Sequence, residues 1–360
     1  MKDDIATVQG ISDLLAFDEI IDVRSPAEFA EDHIPGSLNC PVLDNAQRVE
    51  VGTLYKQVSP FAARKVGAAY VAENIAHHLR QTFVERPKNW RPLVVCWRGG
   101  QRSAALTYVL RRIGWNARQL EGGYRTYRRL VVDQLAVLPR RLQMKVICGA
   151  TGSGKSRTLQ AIGRLGEQVL DLEALACHKG SVLGVLPEAP QPSQKLFESR
   201  LLTAIQTFDC TRPVYVEAES RKIGCLHLPA ALIETMRAGE CLSIEASFTA
   251  RVDFLLHDYA YFLCAPERLD ACLQPLRSLH SVDTLLRWRE YASTGRWREL
   301  VSELLAEHYD PLYTRSQSRN YAGFEAPQQF ATADLTPAGI DALAQQICRR
   351  PPEPACTASA

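Results

Sequence analysis

The chain has 360 residues, enough for two globular units that each bury a core. Hydrophobic residues make up 46% and charged residues 23%, with a net charge of +2, which argues against a disordered protein. No segment approaches the roughly twenty apolar residues of a membrane helix, and the acidic start MKDDIATVQG does not resemble a secretory signal. We therefore expect a cytoplasmic protein without membrane contact.

The eleven cysteines are odd in number and show no CxxC spacing. Neither a disulfide framework nor a zinc site is expected from such a pattern. We expect most of them to be buried as small hydrophobic residues, with Cys96 as the exception.

Short apolar runs separated by helical patterns occupy the first third of the chain. The runs are EIIDV at 19–23, LVVCW at 93–97 and ARQLE at 117–121. A helical pattern at Ser103–Ile113 lies between the second and third runs. This alternation predicts a small α/β domain over residues 1–130, followed by a linker over residues 131–142 that contains Pro139.

A second series of apolar runs begins at residue 144. The runs are MKVICGA at 144–150, QVLDLE at 168–173, PVYVEAE at 213–219 and CLSIEAS at 241–247. The segments between them are long enough for crossover helices, so we expect a parallel sheet. From about residue 249 the pattern is helical. We predict a second α/β domain over residues 143–350 with C-terminal helices, and a flexible tail over residues 351–360.

The sequence GATGSGKS at 149–156 fits the phosphate-binding pattern G-x-x-x-x-G-K-[ST]. An apolar strand precedes it and the helix-compatible run SRTLQAIGRL overlaps its end, which is the context that the motif requires. Glycines let backbone N–H groups point inward, and the helix N-terminus favours negative charge. The expected diphosphate-binding residues are Gly149, Thr151, Gly152, Ser153, Gly154, Lys155 and Ser156. The second domain is therefore predicted to be P-loop NTPase-like.

The motif does not specify which diphosphate binds. Ser156 could bind Mg²⁺, and Glu217 or Glu219 at a strand end could be the acidic partner, although no metal site is certain. No NKxD-type guanine reader and no adenine pocket is recognisable, which leaves non-nucleotide diphosphates open.

Cys96 ends the strand LVVCW and begins a second unusual loop, CWRGGQRS at 96–103. A thiolate at the start of a helix, surrounded by backbone N–H groups and a guanidinium, is stabilised and nucleophilic near neutral pH. The sequence therefore predicts an anion-binding cup with Cys96 and Arg102 as catalytic residues. The other residues of this loop are Arg98, Gly99, Gly100, Gln101 and Ser103.

The surroundings of Cys96 resemble the rhodanese family. The resemblance rests on IDVRSPAEFAEDHIPGSLN at 21–39 and LEGGYRTYR at 120–128. It implies a rhodanese-like α/β domain whose loop cysteine transfers sulfur or selenium. The spacing from Cys96 to Arg102 is C-x5-R, one residue longer than in many sulfurtransferases and similar to rhodanese-fold phosphatases. A wider cup would accept a phosphate-bearing donor.

A rhodanese-like domain joined to a P-loop domain resembles the tRNA 2-selenouridine synthase family over most of the chain. Three further stretches match that family: DLEALACHKGSVLG at 171–184, PSQKLFESRL at 192–201 and VEAESRKIGCLHLP at 216–229. One departure is Lys179, where arginine is expected. A lysine presents a single point charge at this position, whereas an arginine guanidinium could donate two parallel hydrogen bonds.

The resemblance implies a two-step replacement of sulfur by selenium on a wobble 2-thiouridine of tRNA. Geranyl diphosphate first alkylates the sulfur, and selenium from selenophosphate then displaces the geranylthio group. The P-loop would bind the diphosphate, whereas Cys96 would act in the selenium step, through a Cys–Se adduct or within a cup that receives selenophosphate. These are substrates, so no tightly bound cofactor is expected. An enzyme that supplies selenophosphate is a possible partner.

A tRNA anticodon region requires a basic surface, and the segment from Arg98 to Lys145 carries a local net charge of +9. A polyanion partner and a solvated helix face both agree with that charge. The tRNA-binding candidates are Arg111, Arg112, Arg125, Arg128 and Arg129, with Tyr124 and Tyr127 as candidates for stacking, although a single aromatic residue more often packs in a core than stacks on a base. A later set interleaves Arg287, Arg289, Arg296 and Arg298 with Trp288 and Trp297. The geranyl chain requires an apolar groove, for which the C-terminal helices are candidates.

Two other functions agree with parts of the sequence. The C-x5-R spacing favours a rhodanese-fold phosphatase fused to a P-loop kinase, which would hydrolyse ATP independently of tRNA. A non-catalytic sulfur-carrier scaffold could use the P-loop as a ligand switch. Neither alternative explains the stretches at 171–184 and 216–229. His178, His257 and His308 could titrate near neutral pH, although a lone histidine is usually structural.

Overall fold

A computed structural model of the chain describes residues 4–186, 188–263, 269, 273–313 and 327–349. The chain forms two compact units. The first comprises Met1–Leu135 and Pro192–Thr203, and the second comprises Ala136–Gln191 and Ala204–Ala360. The tail predicted at 351–360 lies outside the described residues.

The first unit is built on a five-stranded parallel sheet. Its strands are β1 Ile5–Ala6, β2 Glu19–Asp22, β3 Leu38–Asn39, β4 Pro92–Val95 and β5 Arg118–Leu120. Its helices are α1 Pro26–Glu31, α2 Asn45–Gln57, α3 Pro60–His78, α4 Gln101–Ile113 and α5 Tyr124–Leu135, with a 3₁₀ turn at Ile11–Ala16 and a π turn at Leu79–Phe83. The strand order is β1-β5-β4-β2-β3, so the carboxyl ends of the strands meet at one edge.

The three strands expected in this region are confirmed as β2, β4 and β5. All four residues of β4 are buried, because the strand lies in the middle of the sheet with helices over its faces. The expected linker at 131–142 is partly helical, since α5 continues to Leu135. Tyr127, Val131 and Leu135 recur four residues apart on one buried face, which keeps the helix intact beyond residue 130.

Two helical segments of the first unit were not predicted from the sequence. Helices α2 and α3 form an antiparallel helical hairpin, joined only by Val58 and Ser59. Residues 192–203, which carry the PSQKLFESRL stretch, belong to the first unit although they follow the P-loop in the chain. Within that unit Glu198 pairs with Arg128 of α5, and Lys195 Nζ lies 2.5 Å from Glu31 Oε1.

The second unit contains a five-stranded parallel sheet and a small antiparallel pair. Its strands are β6 Gln143–Cys148, β7 Gln168–Leu170, β8 Pro213–Glu217, β9 Lys222–Ile223, β10 Leu226–His227, β11 Glu240–Ala246 and β12 Gln328–Thr332. The helices from its first part are α6 Lys155–Arg164, α7 Leu172–Ala176, α8 Gln194–Gln206, which begins in the first unit, and α9 Ala230–Ala238. The later helices are α10 Phe248–Asp258, α11 Ala260–Leu263, α12 Val282–Ser293, α13 Trp297–Glu303 and α14 Pro337–Cys348. Short 3₁₀ turns lie at Leu138–Arg141 and Gln274–Ser278, and a π turn lies at Leu304–Tyr309.

The order of the second sheet is β12-β11-β6-β8-β7, with every neighbouring pair parallel. Strand β6, which leads into the P-loop, is therefore central and is flanked by β8 and β11. Ligands of open parallel sheets bind at the carboxyl ends of strands near such a change in strand order. The expected strands β6, β7, β8 and β11 are confirmed.

The expectation of only helices after residue 249 is wrong at β12. This strand pairs along β11, from Leu242 opposite Gln328 to Ala246 opposite Thr332, and Phe330 is buried in the core. The segment is short, and its pairing with β11 decides its structure. The remaining described part of this region is helical and contains a separate apolar cluster around Trp288. Among the described residues, no helix combines the length and the apolar character needed to cross a membrane.

Candidate functional site

Cys96 follows the last residue of β4, at the carboxyl edge of the first sheet. The loop after it passes close to the turn before α5, and two glycines make this approach possible. A Cβ on Gly99 would lie 2.7 Å from the Leu120 carbonyl oxygen, and one on Gly123 would lie 2.2 Å from the Cys96 carbonyl oxygen. Both glycines have positive φ, so the sequence pattern RGG…EGG has a steric reason.

The Cys96 sulfur accepts two hydrogen bonds within the loop. The Gly100 N–H lies 3.1 Å from Sγ and the Ser103 hydroxyl lies 2.9 Å from it. Gln119 on β5 donates its side-chain amide to Ser103 Oγ at 3.0 Å and to the Gly100 carbonyl at 3.2 Å. Because Gln119 donates to the serine oxygen, the serine hydrogen is available to the sulfur, so this geometry stabilises a thiolate.

Arg102 lies at the anion-binding cup and is paired there with a carboxylate. Its guanidinium donates to Glu28 Oε2 at 2.6 Å and to Glu28 Oε1 at 3.2 Å. Burial alone would raise the pKa of Glu28, but the hydrogen bonds and charge of Arg102 hold that pKa below its usual value. Of the other predicted loop residues, Arg98 and Gln101 are exposed. Cys96 itself is only 3% exposed, so a reactant must enter the loop to reach the sulfur.

The motif IDVRSPAEF supports this loop from below. Arg24 and Asp22 form a fully buried ion pair at 2.5 Å, and the Arg24 guanidinium lies 4.1 Å from the ring centroid of Tyr124. The Tyr124 hydroxyl donates to Asp32 at 2.6 Å, and burial followed by that contact raises the pKa of Tyr124. Tyr124 and Tyr127 are 3% and 1% exposed, so of the two roles considered for them, packing is correct and stacking on RNA bases is not.

The P-loop of the second unit connects β6 to α6 at the centre of the sheet. Gly149, Gly152 and Gly154 all have positive φ, as a loop with inward N–H groups requires. A Cβ on Gly149 would lie 2.5 Å from Ser153 Oγ, so Gly149 is also required sterically. Lys155 Nζ donates to the carbonyl of Gly149 at 2.8 Å, which places the cation over the loop.

A residue far along the chain holds the P-loop in place. Arg251 of α10 donates through Nε to the Thr151 carbonyl at 2.8 Å. Its two terminal nitrogens donate to Asp310 at 3.1 and 2.6 Å, and Arg251 is 7% exposed. This contact is not predictable from the sequence, because nothing in the local pattern relates Arg251 to a loop 100 residues earlier.

Three glutamates converge beside the P-loop. Glu173, Glu217 and Glu219 each offer a carboxylate oxygen within 4.8 Å of the others. Ser156 Oγ donates to this group, lying 2.8 Å from Glu173 and 3.0 Å from Glu217. The structure thus brings together the two predicted glutamates and adds Glu173. The position of Glu173 in DLEALA, directly after β7, is the sequence feature that could have indicated its role.

The electrostatics of this glutamate cluster favour a cation. Burial, followed by the charge of Glu173, raises the pKa of Glu217 well above its usual value, and burial raises the pKa of Glu219 to about 8. Burial likewise raises the pKa of Glu173. Glu217 Oε1 is buried and has no hydrogen-bond partner, so it fits a role as a ligand oxygen.

The P-loop and the glutamates line a cavity of about 810 Å³. Lys179 lies at this cavity and donates to Asp258 at 2.6 Å, while its ammonium lies 4.3 Å from the ring centroid of Tyr259. Asp258 also pairs with Arg157 at 2.7 Å, and despite burial these two cations lower its pKa. Lys179 thus donates to one carboxylate oxygen of Asp258, and the guanidinium of Arg157 donates to the other.

An apolar cavity of about 60 Å³ adjoins the phosphate cavity. The two share the lining residues Thr151, Ser181, Leu255, Tyr259 and Tyr309. The remaining lining residues are Leu183, Leu256, Leu269, Trp297, Leu300, Val301, Leu304 and Leu305. The prediction that C-terminal helices carry an apolar site near the P-loop therefore has a structural counterpart.

The predicted basic residues differ in their surroundings. Arg112, Arg125 and Arg129 are exposed, whereas Arg111 pairs with Asp4 at 2.6 Å and Arg128 with Glu198. In the later set, Arg287, Arg296 and Arg298 pair with Glu303, Glu299 and Asp253 respectively. Trp288 is fully buried and therefore packs in the core and does not stack on a base, while Trp297 lines the apolar cavity.

Two of the three histidines considered from the sequence line the phosphate cavity. Burial lowers the pKa of His178 and of His308, which keeps both neutral near pH 7. His308 Nδ1 lies 3.0 Å from His280 Nε2, so this histidine has a structural partner. Every cysteine among the described residues is a free thiol. Cys40, Cys96, Cys148 and Cys241 are buried, whereas Cys210 and Cys225 are exposed, so the expectation that Cys96 is the exception to burial is wrong.

Comparison with known families agrees with both halves of the fold. The rhodanese-like domain family matches residues 7–130, and the tRNA 2-selenouridine synthase AAA domain family matches residues 142–271. The chain is therefore a rhodanese-like α/β unit followed by a P-loop unit with C-terminal helices.

Three relatives extend this match over most of the chain. The tRNA 2-selenouridine synthase of Nitrosomonas europaea is 34% identical over 77% of this chain and 74% of its own length. That of Alcanivorax borkumensis is 31% identical over 89% and 94%, and that of Pseudomonas savastanoi is 30% identical over 85% and 90%. The chain belongs to the tRNA 2-selenouridine synthase family and is an enzyme. The alternative function of a non-catalytic sulfur-carrier scaffold is therefore excluded.

Proposed function

We propose that this enzyme replaces sulfur by selenium in the wobble 2-thiouridine of tRNA, first by geranylation with geranyl diphosphate and then by selenation with selenophosphate. The names of its relatives support the tRNA and selenium parts of the proposal. The observation that supports the geranylation step is the apolar cavity next to the P-loop. Its lining of leucine and valine side chains with a few aromatic rings suits a hydrocarbon chain.

In the first step, the P-loop binds the diphosphate and the apolar cavity takes part of the hydrocarbon chain. The thiocarbonyl sulfur attacks C1 of the geranyl group, the C1–O bond breaks and its electron pair leaves with pyrophosphate. The uracil loses its N3 proton, so the charges balance. Loop N–H groups and Lys155 stabilise the charge that develops on the leaving group.

The size of the apolar cavity agrees with a short hydrocarbon. The cavity has a volume of about 60 Å³ and a lining of mostly aliphatic side chains, which suits a short hydrocarbon segment. One isoprene unit of five carbons is such a segment. The first isoprene unit would then contact the shared residues Leu255 and Tyr259, and the second would enter the cavity.

The glutamate cluster fits Mg²⁺. Ser156, Glu173, Glu217 and Glu219 supply hard oxygen ligands, and the partnerless Glu217 oxygen is the observation that favours a cation. A bound Mg²⁺ would neutralise diphosphate charge. The residues themselves orient the site, because Ser156 holds two of the three carboxylates by hydrogen bonds.

In the second step, the phosphate end of selenophosphate binds in the Cys96 cup. Selenium attacks C2 of the geranylated uridine, and the C2–S bond breaks with release of geranylthiolate. The Cys96 thiolate then attacks phosphorus, and the Se–P bond breaks with its electron pair returning to selenium. Water hydrolyses the S–P bond to release phosphate. A Cys–Se adduct would instead release phosphorus two electrons more reduced, which argues for attack at phosphorus.

Nucleoside analysis of tRNA after incubation with the purified enzyme tests the proposal. With geranyl diphosphate, selenophosphate and Mg²⁺ we expect 2-selenouridine, and without selenophosphate we expect S-geranyl-2-thiouridine to accumulate. Selenation that needs no geranyl diphosphate would refute the two-step order. Cys96→Ser should lose selenation and keep geranylation, because alkylation depends on the diphosphate site.

A filled cavity tests the assignment of the geranyl chain. Val301→Phe adds a ring at the apolar cavity and should raise KM for geranyl diphosphate about tenfold or more, because each CH₂ that leaves water contributes about 0.8 kcal/mol. Leu286→Phe is the matched control, since Leu286 is 54% exposed. Equal KM values for both variants would remove the cavity from geranyl binding.

A further inference from the structure

The helical hairpin of α2 and α3 carries exposed cations and apolar side chains at its tip, here residues 54–65. Tyr55, Val58 and Phe61 are 57%, 67% and 68% exposed. Lys56, Arg64 and Lys65 are also exposed, and none of them has an acidic partner among the described residues. From residue 51 to residue 72 the sequence contains no Asp or Glu, so this charge is not offset locally.

The hairpin presents this tip rigidly. Gly67 permits close packing of the two helices, because a Cβ there would already lie 3.3 Å from Val51. Ser59 caps α3 by accepting a hydrogen bond from the Ala62 N–H at 3.0 Å, and the Val58 N–H donates to the Leu54 carbonyl. A fixed surface binds a partner at a lower entropic cost than a mobile loop does.

The base of the hairpin adjoins the Cys96 cup. Arg48 Nε lies 3.9 Å from Glu28 Oε2, and the same carboxylate pairs with Arg102. Asn74 of α3 donates to Gln47 at 2.8 Å and to the Val42 carbonyl, which fixes the hairpin to the first unit. Nine helical residues, 49–57, separate Arg48 from Val58, so the tip lies about 15 Å along α2 from the edge of the cup.

We propose that the hairpin tip is a tRNA contact surface that holds the substrate stem-loop while its wobble nucleotide reaches Cys96. This inference rests on the proposed function. Phosphate oxygens are the complement of three unpaired cations, and exposed rings next to cations suit unpaired bases. Phe61 already carries Lys65 at 5.1 Å from its ring centroid, an arrangement that places charge and ring at one contact.

The basic segment at 98–145 does not account for such a contact by itself. Two of its five predicted tRNA residues are engaged in ion pairs, and the two tyrosines considered for stacking, Tyr124 and Tyr127, are buried, whereas Tyr108 is exposed. The hairpin tip places three exposed cations and two exposed rings within the twelve residues 54–65, next to one another on one turn. The exposed Arg112, Arg125 and Arg129 can act together with it.

Binding of 2-thiouridine tRNA to a charge-reversed tip tests the inference. In Lys56→Glu/Lys65→Glu, loss of two phosphate contacts should weaken tRNA binding about 30-fold at roughly 0.15 M salt and lower the slope of log Kd against log salt by about 2. Phe61→Ala should weaken binding about fivefold with an unchanged slope. The matched control is Arg80→Glu/Lys88→Glu, two exposed cations of the same unit outside the tip.

Three measurements distinguish a failure of the tRNA surface from a folding defect and from a failure of the proposed function. The alkylation rate of Cys96 should be equal in all variants, which shows that the first unit remains folded. If the charge-reversed tip variant bound tRNA with the same affinity and salt slope as the control variant, the tip would not be a tRNA surface. A protein partner would then be the remaining occupant of the tip. Wild-type enzyme that binds tRNA through the tip but forms no 2-selenouridine would refute the proposed function instead.

Discussion

The hydrogen bond from Ser103 to the Cys96 sulfur gives a prediction with a characteristic pH signature. Ser103→Ala removes a donor at 2.9 Å from Sγ and leaves the Gly100 N–H in place. A hydrogen bond to a charged group contributes about 1.5–3 kcal/mol, so loss of this donor should disfavour the charged form of the sulfur by a factor of about 10 to 150. The remaining thiolate is more nucleophilic, because the donor no longer withdraws charge from it.

These two effects partly cancel at neutral pH and separate at high pH. With a Brønsted coefficient of about 0.5, half of the logarithmic loss is recovered, and the net alkylation rate near pH 7 should fall about 3- to 12-fold. In strongly alkaline solution, where both proteins are ionised, Ser103→Ala should react faster than wild type by a similar factor. The two pH profiles should therefore cross.

The assay is the rate of iodoacetamide alkylation of the peptide that carries Cys96, followed by mass spectrometry from pH 5 to 11. A peptide readout is required because Cys210 and Cys225 are exposed and also react. Thr107→Val, one helical turn from Ser103, is the control and should leave the profile unchanged, since the Thr107 hydroxyl has no hydrogen-bond partner. Profiles of Ser103→Ala and wild type that coincide would refute the role assigned to this hydroxyl.

Three further predictions concern the second unit. Lys155→Ala should abolish geranylation of thiouridine tRNA while selenation of tRNA already geranylated continues, because only the first step needs the diphosphate site; loss of both steps would contradict this. Arg251→Ala should lower the free energy of unfolding of the second unit by about 3 kcal/mol in urea titrations, since it removes the buried guanidinium that donates to Asp310 and to the Thr151 carbonyl; a change below about 0.5 kcal/mol would show that the contact does not stabilise the loop. Glu219 has a folded pKa of about 8 against an ordinary value of 4.5, so its contribution is fully present below pH 4.5 and is lost as the pH rises through 8; with a chelator present, Glu219→Gln should become progressively more stable relative to wild type from pH 5 to pH 9, and a constant difference would argue against the raised pKa.

The two loops were predictable because each depends on a short, local pattern. GATGSGKS requires glycines where the backbone has positive φ, and CWRGGQRS requires Gly99 where a side chain would collide with the Leu120 carbonyl. Such steric demands act within a few residues, so they leave a trace in the sequence. The strands that lead into both loops were found for the same reason, since buried parallel strands give continuous apolar runs.

The supporting residues were not predictable, because they are distant along the chain. Gln119 reaches Ser103 from a neighbouring strand, and Arg251 reaches Thr151 across 100 residues. Glu173 joins Glu217 and Glu219 only because β7 and β8 are neighbours in the sheet. Each of these residues is an ordinary polar side chain until the fold brings its partner within hydrogen-bond distance.

The assignment of basic and aromatic residues shows the same limit. Charge counted along residues 98–145 indicated a nucleic-acid surface, but the sequence does not reveal which arginines have acidic partners. Arg128 meets Glu198 only because residues 192–203 join the first unit. Tyr124 is buried under the cysteine loop, where it holds Arg24 and Asp32.

The sequence by itself determined the two-domain α/β architecture, the phosphate-binding loop and the reactive cysteine, because backbone sterics and apolar periodicity are local properties. The tertiary structure decided which donors stabilise the Cys96 sulfur, which carboxylates form the cation site, and that an apolar cavity lies beside the P-loop. Those features depend on contacts between residues that are remote in the chain. Such contacts follow from strand order and helix packing, and a residue's sequence neighbours do not specify them.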